Sequence, residues 1–267
     1  MEIPQRKRNS HLKAFQQRKI SMRAEWQLLA ETDNWVAINK PAGLLSVPDR
    51  EGKEISLKKL LQLKYGNIFA VHRLDRETSG VILFAKNELT HRELSLQFEQ
   101  RTTIKIYSGL VIGKPEQVNQ LIDSPIKEHP GIAGKMIIHR NGKPSQTEYT
   151  VLETLIPYSW VSFQLHTGRT HQIRIHMQSI GYPLVCDPLY GDGQPVLLSR
   201  FKPKFKLSKQ EEAEKPLLNR LALHASLLKF QEKDGSTITI EAELPKDLHV
   251  SMLQLRKYAR KTTVNHQ

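Results

Sequence analysis

The fold of this chain is organised around one stretch of its sequence: His72-Arg73-Leu74-Asp75-Arg76-Glu77-Thr78-Ser79-Gly80. Asp75 lies among basic residues, just before a Thr-Ser-Gly turn. The apolar run 81–85 follows at once and predicts a buried strand. The turn therefore places Asp75 at the entrance of a rigid element, which can fix the position of its carboxylate. The alternative interpretation is a capped loop with an exposed ion pair, which contributes little to stability.

The composition indicates a folded protein that binds a polyanion. Its 267 residues are enough to bury the core of one large domain or of two joined lobes. The 40 Lys and Arg against 27 Asp and Glu leave a net charge of +13 and a pI near 9.7. Such an excess favours nucleic acid or an anionic membrane surface. Cys186 is the only cysteine, which excludes an internal disulfide and a zinc site built on cysteine pairs.

The sequence predicts neither a membrane span nor a secretion signal. No apolar run approaches the roughly 18 residues that a spanning helix needs. The N-terminus is polar and basic, without the apolar core of a secretion signal. We therefore expect a cytoplasmic protein that binds RNA or DNA.

The chain divides into a basic arm, residues 1–24, and a folded domain, residues 25–262. The arm has a large excess of Lys and Arg over acids, so it either lies on phosphates or is a solubilising tail. Residues 199–216 are low in aliphatic side chains and rich in lysine, which predicts a surface insertion. The turn-rich basic segment 114–145 is interpreted as a loop that contacts RNA or as a plain solvated connection.

Hydrophobic periodicity predicts strands and helices that alternate irregularly. Strands are predicted at 35–38, 81–85, 103–113, 147–155, 160–165, 227–230 and 237–242. Helices are predicted after Ser56, over 88–100, from Thr170 to Ile180 and near 246–260. Many of the strands form hairpin-like pairs. This arrangement points to an α+β fold with a mixed, largely antiparallel central sheet flanked by helices and loops.

Tyr107 lies in the predicted strand 103–113, on the same face as Lys105 and Gly109. A glycine inside a strand often marks the close approach of a ligand or of another backbone. The tyrosine can stack on a base or take a proton in a desolvated pocket. The plainer interpretation is a half-buried strand residue.

A second dense stretch is His166-Thr167-Gly168-Arg169-Thr170-His171-Gln172-Ile173-Arg174-Ile175-His176-Met177. Thr170 is predicted to cap a helix whose first N–H groups can bind phosphate. Arg174 projects away from the apolar stripe of that helix. The three histidines recur every five residues, which turns them off one helix face, and the two arginines would repel a cation. We therefore expect no metal site.

Several kinds of active site are absent from the sequence. It has no Gly-rich nucleotide-binding loop, no dinucleotide fingerprint and no serine in a nucleophile elbow. The groups that remain as candidates for chemistry are one carboxylate, one tyrosine, several arginines and a basic surface. A carboxylate beside an arginine stays ionised and can act as a nucleophile or a base without a cofactor. These parts suit chemistry on a nucleobase that has been flipped out of its stack.

With these motifs, the chain resembles the RluA family of RNA pseudouridine synthases. The blocks that carry the resemblance occur in the family's order: Asn39-Lys40-Pro41-Ala42-Gly43, residues 72–80, Lys105-x-Tyr107 with Gly113, residues 168–176, and Leu223-His224-Ala225. Gly109 stands where alanine is usual in the family, and Cys186 where glycine is usual. The resemblance implies a pseudouridine-synthase-like fold with residues 25–262 as the catalytic domain. With only the short arm before this domain, we expect the compact type without an S4 domain.

The resemblance implies that Asp75 is the nucleophile in a uridine isomerisation, in which the base leaves C1′, turns, and rejoins the sugar through C5. Whether the carboxylate attacks C1′ or the base is left open. Arg174 is expected to pair with Asp75. Tyr107 is expected to pack on the flipped uracil and is a candidate acceptor for the C5 proton. No metal, nucleotide or redox cofactor is expected, because bond order and oxidation state are conserved.

The resemblance also implies contacts with structured RNA, either 23S rRNA or a tRNA stem-loop. Arg73 is expected to fill the helix gap that the flipped nucleotide leaves. Further RNA contacts are predicted for His72, Lys40, Arg169 and His171. We expect a cytoplasmic monomer that does not associate with a membrane.

Two other functions compete with this one. The first is a catalytically idle RNA-binding or RNA-folding module on the same fold, against which the intact Asp75, Tyr107 and Arg174 argue. The second is a metal-free ribonuclease that uses His171 and His176 as acid and base. Cleavage of the RNA chain would reveal a ribonuclease, whereas an isomerase leaves its length unchanged.

Overall fold

The computed structural model describes residues 26–49, 52–207 and 212–262, with no account of the side chains of 260–262. The predicted basic arm, residues 1–24, lies outside these residues. The helices are α1 (Leu57–Tyr65), α2 (Glu88–Glu99), α3 (Gln172–Ser179) and α4 (Lys246–Tyr258). The strands are β1 (Gln27–Glu31), β2 (Trp35–Lys40), β3 (Phe69–Ala70), β4 (Ser79–Ala85), β5 (Ile104–Ile112), β6 (Asn119–Asp123), β7 (Ile126–Glu128), β8 (Met136–Ile138), β9 (Gln146–Ile156), β10 (Tyr158–Leu165), β11 (Leu223–Gln231), β12 (Thr237–Glu241) and β13 (Arg260–Thr262).

Eleven of the described strands form one sheet. Its main path runs β1-β2-β4-β11-β5-β10-β9-β13, while β3, β6 and β12 pair with β4, β9 and β11. Among the named strands, β4 and β11 pair in parallel and the other pairs are antiparallel. The predicted α+β fold with a mixed, largely antiparallel sheet is confirmed. None of the helices in the described part of the chain is long and apolar enough to cross a bilayer.

Strand β4 is the rigid element that the sequence predicts behind Asp75. All seven of its residues are buried, because its two faces pack into different hydrophobic cores. Ile82 and Phe84 belong to one core, while Val81 and Leu83 belong to another. An apolar run without alternation is what such a doubly covered strand requires.

The segment 114–145 contains more regular structure than the sequence predicts. Strand β6 joins the main sheet beside β9, and β7 and β8 form a separate two-stranded sheet. The strands of this separate sheet have three residues each and lie among prolines and glycines. Such short strands carry too few residues for a period of two to be detected.

Helix α3 begins one residue later than the sequence predicts. His171, not Thr170, is its N-cap and has a left-handed backbone (φ 55°) without a side-chain capping bond. The Gln172 side chain instead binds the preceding loop: its Oε1 accepts hydrogen bonds from the Thr167 hydroxyl (2.7 Å) and the Arg169 N–H (3.0 Å). These bonds fix the loop that contains Thr167 and Arg169 against the first turn of the helix.

Gly109 and Cys186, the two departures from the family pattern, both have backbone explanations. A Cβ atom at Gly109 would lie 2.5 Å from the Ala222 carbonyl oxygen, so the close approach predicted there is that of another backbone. Cys186 has a positive φ of 58°, a conformation that glycine adopts more easily. A small side chain is accommodated there at a modest conformational cost.

The predicted insertion 199–216 is only partly described. It leaves and rejoins the fold at an antiparallel bridge between Val196 and Leu218. The Val196 N–H donates to the Leu218 carbonyl (2.7 Å), and the Leu217 N–H donates to the Val196 carbonyl (2.8 Å). The Ser199 N–H donates to Glu214 Oε1 at 2.9 Å. The assignment as a surface insertion stays a prediction.

Lys40 is a structural residue rather than a surface cation. It is fully buried, and its Nζ donates to the carbonyl oxygens of Pro41 (2.9 Å), Leu44 (2.8 Å) and Arg76 (3.0 Å). Burial lowers its pKa to about 7, although the carboxylates of Glu77 and Asp75 favour the charged form. This placement corrects the predicted RNA contact of Lys40, because the amine is enclosed by main-chain carbonyls and has no surface to offer a phosphate.

Replacing Lys40 with methionine should therefore destabilise the protein. Lys40→Met leaves three buried carbonyl groups without a donor, and we expect it to lower the free energy of unfolding by about 3 kcal/mol. Urea titration measures this loss. The control Lys59→Met removes an exposed lysine from α1 and should change stability by no more than about 0.5 kcal/mol. Equal stability of the two variants would contradict the structural role of Lys40.

Gly80 allows β4 to pair with β11. It has a φ of 116°, and a Cβ atom there would overlap the main chain of Ala225, its partner in the parallel ladder. We expect Gly80→Ala to lower the free energy of unfolding by about 3 kcal/mol or more, because backbone strain and steric overlap add. Chemical denaturation tests this. Gly168→Ala is the control, since a Cβ atom added there would have no neighbour within 4 Å. A similar loss of stability in both variants would contradict the explanation.

Candidate active site

A cavity of about 120 Å³ opens beside the turn that follows Arg73. The turn, strand β5, the end of β10 and the loop that leads into α3 contribute its walls. Six of the eight predicted site residues line it: Arg73, Asp75, Tyr107, Arg169, His171 and Arg174. His72 and Lys40 do not. The fold thus brings together residues from three parts of the chain that are up to 101 positions apart, counting from Arg73 to Arg174 (174 − 73).

Main-chain bonds fix the position of Asp75. On one side of it, the Ser46 hydroxyl donates to the Leu74 carbonyl (2.7 Å) and accepts from the Leu74 N–H (3.0 Å). On the other side, Lys40 holds the Arg76 carbonyl. The Asp75 carbonyl itself accepts from the Thr78 N–H at 3.1 Å. The location of Asp75 therefore does not depend on bonds made by its side chain.

The Asp75 carboxylate remains available for reaction. Among the described residues, no group donates a hydrogen bond to its oxygens. The nearest cationic or potentially cationic group is His171, whose Nε2 lies 4.0 Å from Oδ2. That distance is too long for a hydrogen bond but close enough for electrostatic interaction.

Arg174 has a different partner from the one predicted. Its Nε and Nη2 donate to the two carboxylate oxygens of Asp187, at 2.7 and 2.8 Å. Asp187 is fully buried and also accepts from the Leu189 and Tyr190 N–H groups. The expected pairing of Arg174 with Asp75 is thus replaced, because a fork-to-fork bond to a buried carboxylate occupies the guanidinium.

Arg174 nevertheless acts on Asp75 through its charge. Burial opposes the charged form of Arg174, but the hydrogen bond and charge of Asp187, together with the charge of Asp75, raise its pKa. The guanidinium therefore stays positive at the wall of the cavity. Asp187 fixes its position and Asp75 lies within its field.

Tyr190 connects Arg174 to His171. The guanidinium lies over the Tyr190 ring, 4.9 Å from its centroid. The Tyr190 hydroxyl accepts from the Met136 N–H (2.7 Å) and is hydrogen-bonded to His171 Nδ1 (3.0 Å). Burial lowers the pKa of His171, against the opposing effect of Asp75. His171 thus presents a neutral ring to the cavity, with Nε2 towards Asp75.

Asp187 and Tyr190 are not among the residues predicted from the sequence. One signal points to Asp187. An arginine on a helix that is apolar on its other faces needs a counter-charge if it is buried. The tight, proline-bounded loop 183–191 contains that carboxylate. No sequence signal identifies Tyr190, whose contacts arise from the packing of this loop against α3 and β8.

Tyr107 forms one wall of the cavity with a protonated hydroxyl. Its side chain is buried, and burial, reinforced by the negative charge of Asp75, raises its pKa well above the ordinary value. The phenol thus stays neutral in the unbound protein. A neutral ring suits packing against a flat apolar group better than it suits accepting a proton.

The remaining predicted RNA contacts differ in exposure. Arg73 is exposed at the rim, and Arg169 is half-buried, with its Nε 3.4 Å from the Pro144 carbonyl. His72 accepts from the Leu83 N–H (3.0 Å) and stacks on Phe98. Burial lowers the pKa of His72 to about 3. The His72 ring is therefore uncharged and anchors the turn to β4. Without a positive charge, it cannot pair with a phosphate.

The histidines of the second motif separate in the structure. His166 lies beside Glu148, His171 bonds to Tyr190, and His176 bonds to Thr147 and to the Ser124 carbonyl. Within the described ranges, no three His, Cys, Asp or Glu side chains are close enough to hold a metal ion together.

Sequence relatives share most of this chain. It is 36% identical over 211 residues to the dual-specificity RNA pseudouridine synthase RluA of Vibrio vulnificus, which covers 76% of this chain and 77% of the relative. It is 35% identical to the ribosomal large subunit pseudouridine synthase D of Nitrosomonas europaea over 86% of this chain, but over 65% of that relative. An uncharacterized RNA pseudouridine synthase of Chloroflexus aurantiacus is 35% identical over 83% of this chain and 66% of its own length.

Solved structures share the fold. Human RNA pseudouridylate synthase domain containing 1 superposes with a TM-score of 0.67 at 23% identity, covering 91% of each chain. Human RNA pseudouridylate synthase domain containing 4 also gives a TM-score of 0.67, at 24% identity over 96% of this chain. At these identities the likeness concerns the fold alone. The sequence model described as RNA pseudouridylate synthase matches residues 34–179, and by this match and its relatives the chain belongs to the RNA pseudouridylate synthase family.

Proposed function

We propose that this protein converts uridine to pseudouridine in structured RNA, with Asp75 as the nucleophile. The observation that carries the proposal is the state of the Asp75 carboxylate. Its main chain is fixed on both sides, and no described group donates a hydrogen bond to its oxygens. A positioned carboxylate with free lone pairs is suited to attack, since no existing bond has to be broken first. Family membership supplies the reaction.

The reaction needs no added group. Asp75 attacks C1′ or the uracil ring, the N1–C1′ bond breaks, and a C5–C1′ bond forms after the base has turned. The C5 proton is then lost and N1 gains a proton, so the atoms of the nucleotide balance. Release of Asp75 restores the free carboxylate. The chain must therefore hold a detached base and stabilise a negative charge at Asp75.

The cavity walls fit these two tasks. Arg174, held by Asp187, keeps its positive charge near the nucleophile whether or not RNA is bound. The Tyr107 ring can pack on the uracil, and its protonated hydroxyl favours this role over that of a base. The neutral His171 adds a polar edge 4.0 Å from the carboxylate.

We also propose how RNA is held. Arg73 is exposed at the rim of the cavity, where it can fill the gap left by a flipped uridine, and Arg169 also lines the cavity. The net charge of +13 favours the phosphate backbone. The names of the relatives favour RNA of the large ribosomal subunit, and a tRNA stem-loop is the second candidate. We propose that the protein acts as a monomer in the cytoplasm.

The Asp75→Asn variant tests the nucleophile. The amide is isosteric but far less nucleophilic, so we expect it to abolish pseudouridine formation while RNA affinity changes by no more than a few-fold. Single-turnover tritium release from 23S rRNA and tRNA transcripts labelled at C5 of uridine measures the reaction. Glu77→Gln is the matched control in the same turn and should keep the activity. An active Asp75→Asn protein would refute the assignment, and shortened RNA would indicate a ribonuclease.

The Asp187→Asn variant tests the support of Arg174. It leaves a buried guanidinium without its counter-charge, so we expect a loss of about 3 kcal/mol in the free energy of unfolding. At a temperature where the variant is folded, displacement of Arg174 should also slow the single turnover by about 100-fold. Asp192→Asn, in the exposed end of the same loop, is the control. A stable Asp187→Asn variant with full activity would contradict the role of Asp187.

A further inference from the structure

A second groove adjoins the catalytic cavity. Its volume is about 550 Å³, and it shares one rim with the cavity, formed by Arg73, Tyr107, Leu165, Gly168 and Arg169. An RNA strand that places its uracil against Tyr107 must leave the cavity over one of its rims. The groove opens along the shared rim, between strand β5 and helix α2.

The groove is strongly basic. Its lining contains four side chains that carry a positive charge, namely Arg73, Arg101, Lys105 and Arg169. Glu99 is the single acid among the lining residues, and it forms no ion pair with Lys105 within 4 Å. The stacked rings of His72 and Phe98 form an apolar part of the wall. A groove of this charge attracts an anion rather than a neutral ligand.

Lys105 is the most informative residue of this wall. It is only 8% exposed, yet no described residue pairs with it or accepts a hydrogen bond from it. Its Nζ lies 6.0 Å from the centroid of the Phe98 ring. Burial, reinforced by Arg101, lowers its pKa. Its Nζ is not one of the fully enclosed polar atoms that lack a partner in the described part of the chain, so the ammonium reaches the open groove. A largely buried cation without a counter-charge is unfavourable, and a ligand that supplies the negative charge reduces this cost.

The position of Lys105 relates this cation to the reaction. Lys105 and Tyr107 are two residues apart on one face of β5, which corresponds to about 7 Å along a strand. The Tyr107 ring borders both the cavity and the groove. A cation fixed on the same strand as the ring that packs on the uracil is held in register with the bound base.

We infer that the groove is a phosphodiester subsite in which Lys105, assisted by Arg101, binds the phosphate of a nucleotide next to the target uridine. This inference rests on the proposed function, because it takes the base in the cavity to be a uridine of an RNA strand. Arg guanidinium groups bind phosphate in two-pronged fashion and Lys binds it as a point charge. The three exposed or half-exposed arginines and the buried lysine thus offer complementary contacts to one phosphate or to two successive ones.

Substitution of Lys105 tests the subsite. Lys105→Met keeps an unbranched side chain that is one atom shorter and removes a largely buried charge, so we expect the variant to fold. We expect RNA affinity to fall roughly tenfold at physiological salt and the slope of log affinity against log salt to decrease by about one phosphate contact. The single-turnover rate at saturating RNA should stay within about twofold. Lys105→Arg should restore most of the affinity, because it restores the charge.

Lys233→Met is the matched control. Lys233 is exposed and lines a different groove on the other side of α2. Its removal lowers the net charge by the same amount without touching the subsite. If the two methionine variants bind the transcript with equal affinity and equal salt slope, the subsite assignment is overturned.

Uncharged RNA linkages locate the phosphate. Methylphosphonate groups replace single phosphodiesters within three nucleotides on each side of the isomerised uridine. At one of these positions, we expect the replacement to weaken binding by the wild-type protein but not by Lys105→Met. Equal losses of affinity in both proteins at every position would overturn the inference. Inorganic phosphate at millimolar concentration provides a second test by competition with RNA. If Lys105→Met abolishes this competition but leaves the salt dependence of RNA binding unchanged, the inference is also overturned.

The design separates this inference from the proposed function. Lack of tritium release by the wild-type protein from every transcript refutes the function. Tritium release together with identical binding by Lys105→Met and Lys233→Met refutes the subsite alone.

Discussion

The main-chain bonds on either side of Asp75 are the constraint on which the candidate site depends. Ser46 binds both polar main-chain groups of Leu74, and Lys40 binds the Arg76 carbonyl while it also holds the loop at 41–44. These bonds position a carboxylate without using its oxygens. Under the proposed function this arrangement favours attack by Asp75, because a carboxylate held through its own oxygens would have to give up a hydrogen bond first, which would add to the barrier.

The charged groups around Asp75 are also held in place by residues other than Asp75. Arg174 is anchored by the buried Asp187 rather than by Asp75, so its position is fixed before RNA binds. Tyr190 packs under the guanidinium and bonds to His171. The cavity is therefore preorganised by contacts that lie behind its walls, and the faces turned to the substrate keep their polar groups free.

The sequence predicts the central parts of this protein because they are local or strongly periodic. The run 81–85 is apolar at every position, and it is the buried strand β4. Residues 72–80 and 166–177, together with Tyr107, contain the six predicted side chains that line the cavity. The sequence indicates that a buried Arg174 needs a counter-charge, but it does not decide between Asp75 and Asp187, because that choice depends on packing between distant segments. The structural role of Lys40 could not be predicted for the same reason. Its partners are main-chain carbonyls, which every residue has and which therefore give no signal in the sequence.

Lys40 and Lys105 show what burial of a cation means in this fold. Both are lysines of the central sheet with little or no exposed surface. Lys40 directs its three N–H bonds to three carbonyls of its own chain, so its burial is compensated within the protein. Lys105 has only an aromatic ring nearby and borders an open groove. The free-energy cost of removing water from a charged group has to be offset by hydrogen bonds or by an opposite charge. The fold offsets this cost for Lys40 with three carbonyl groups. Beside Lys105 it leaves an open groove, in which a phosphate can provide the opposite charge.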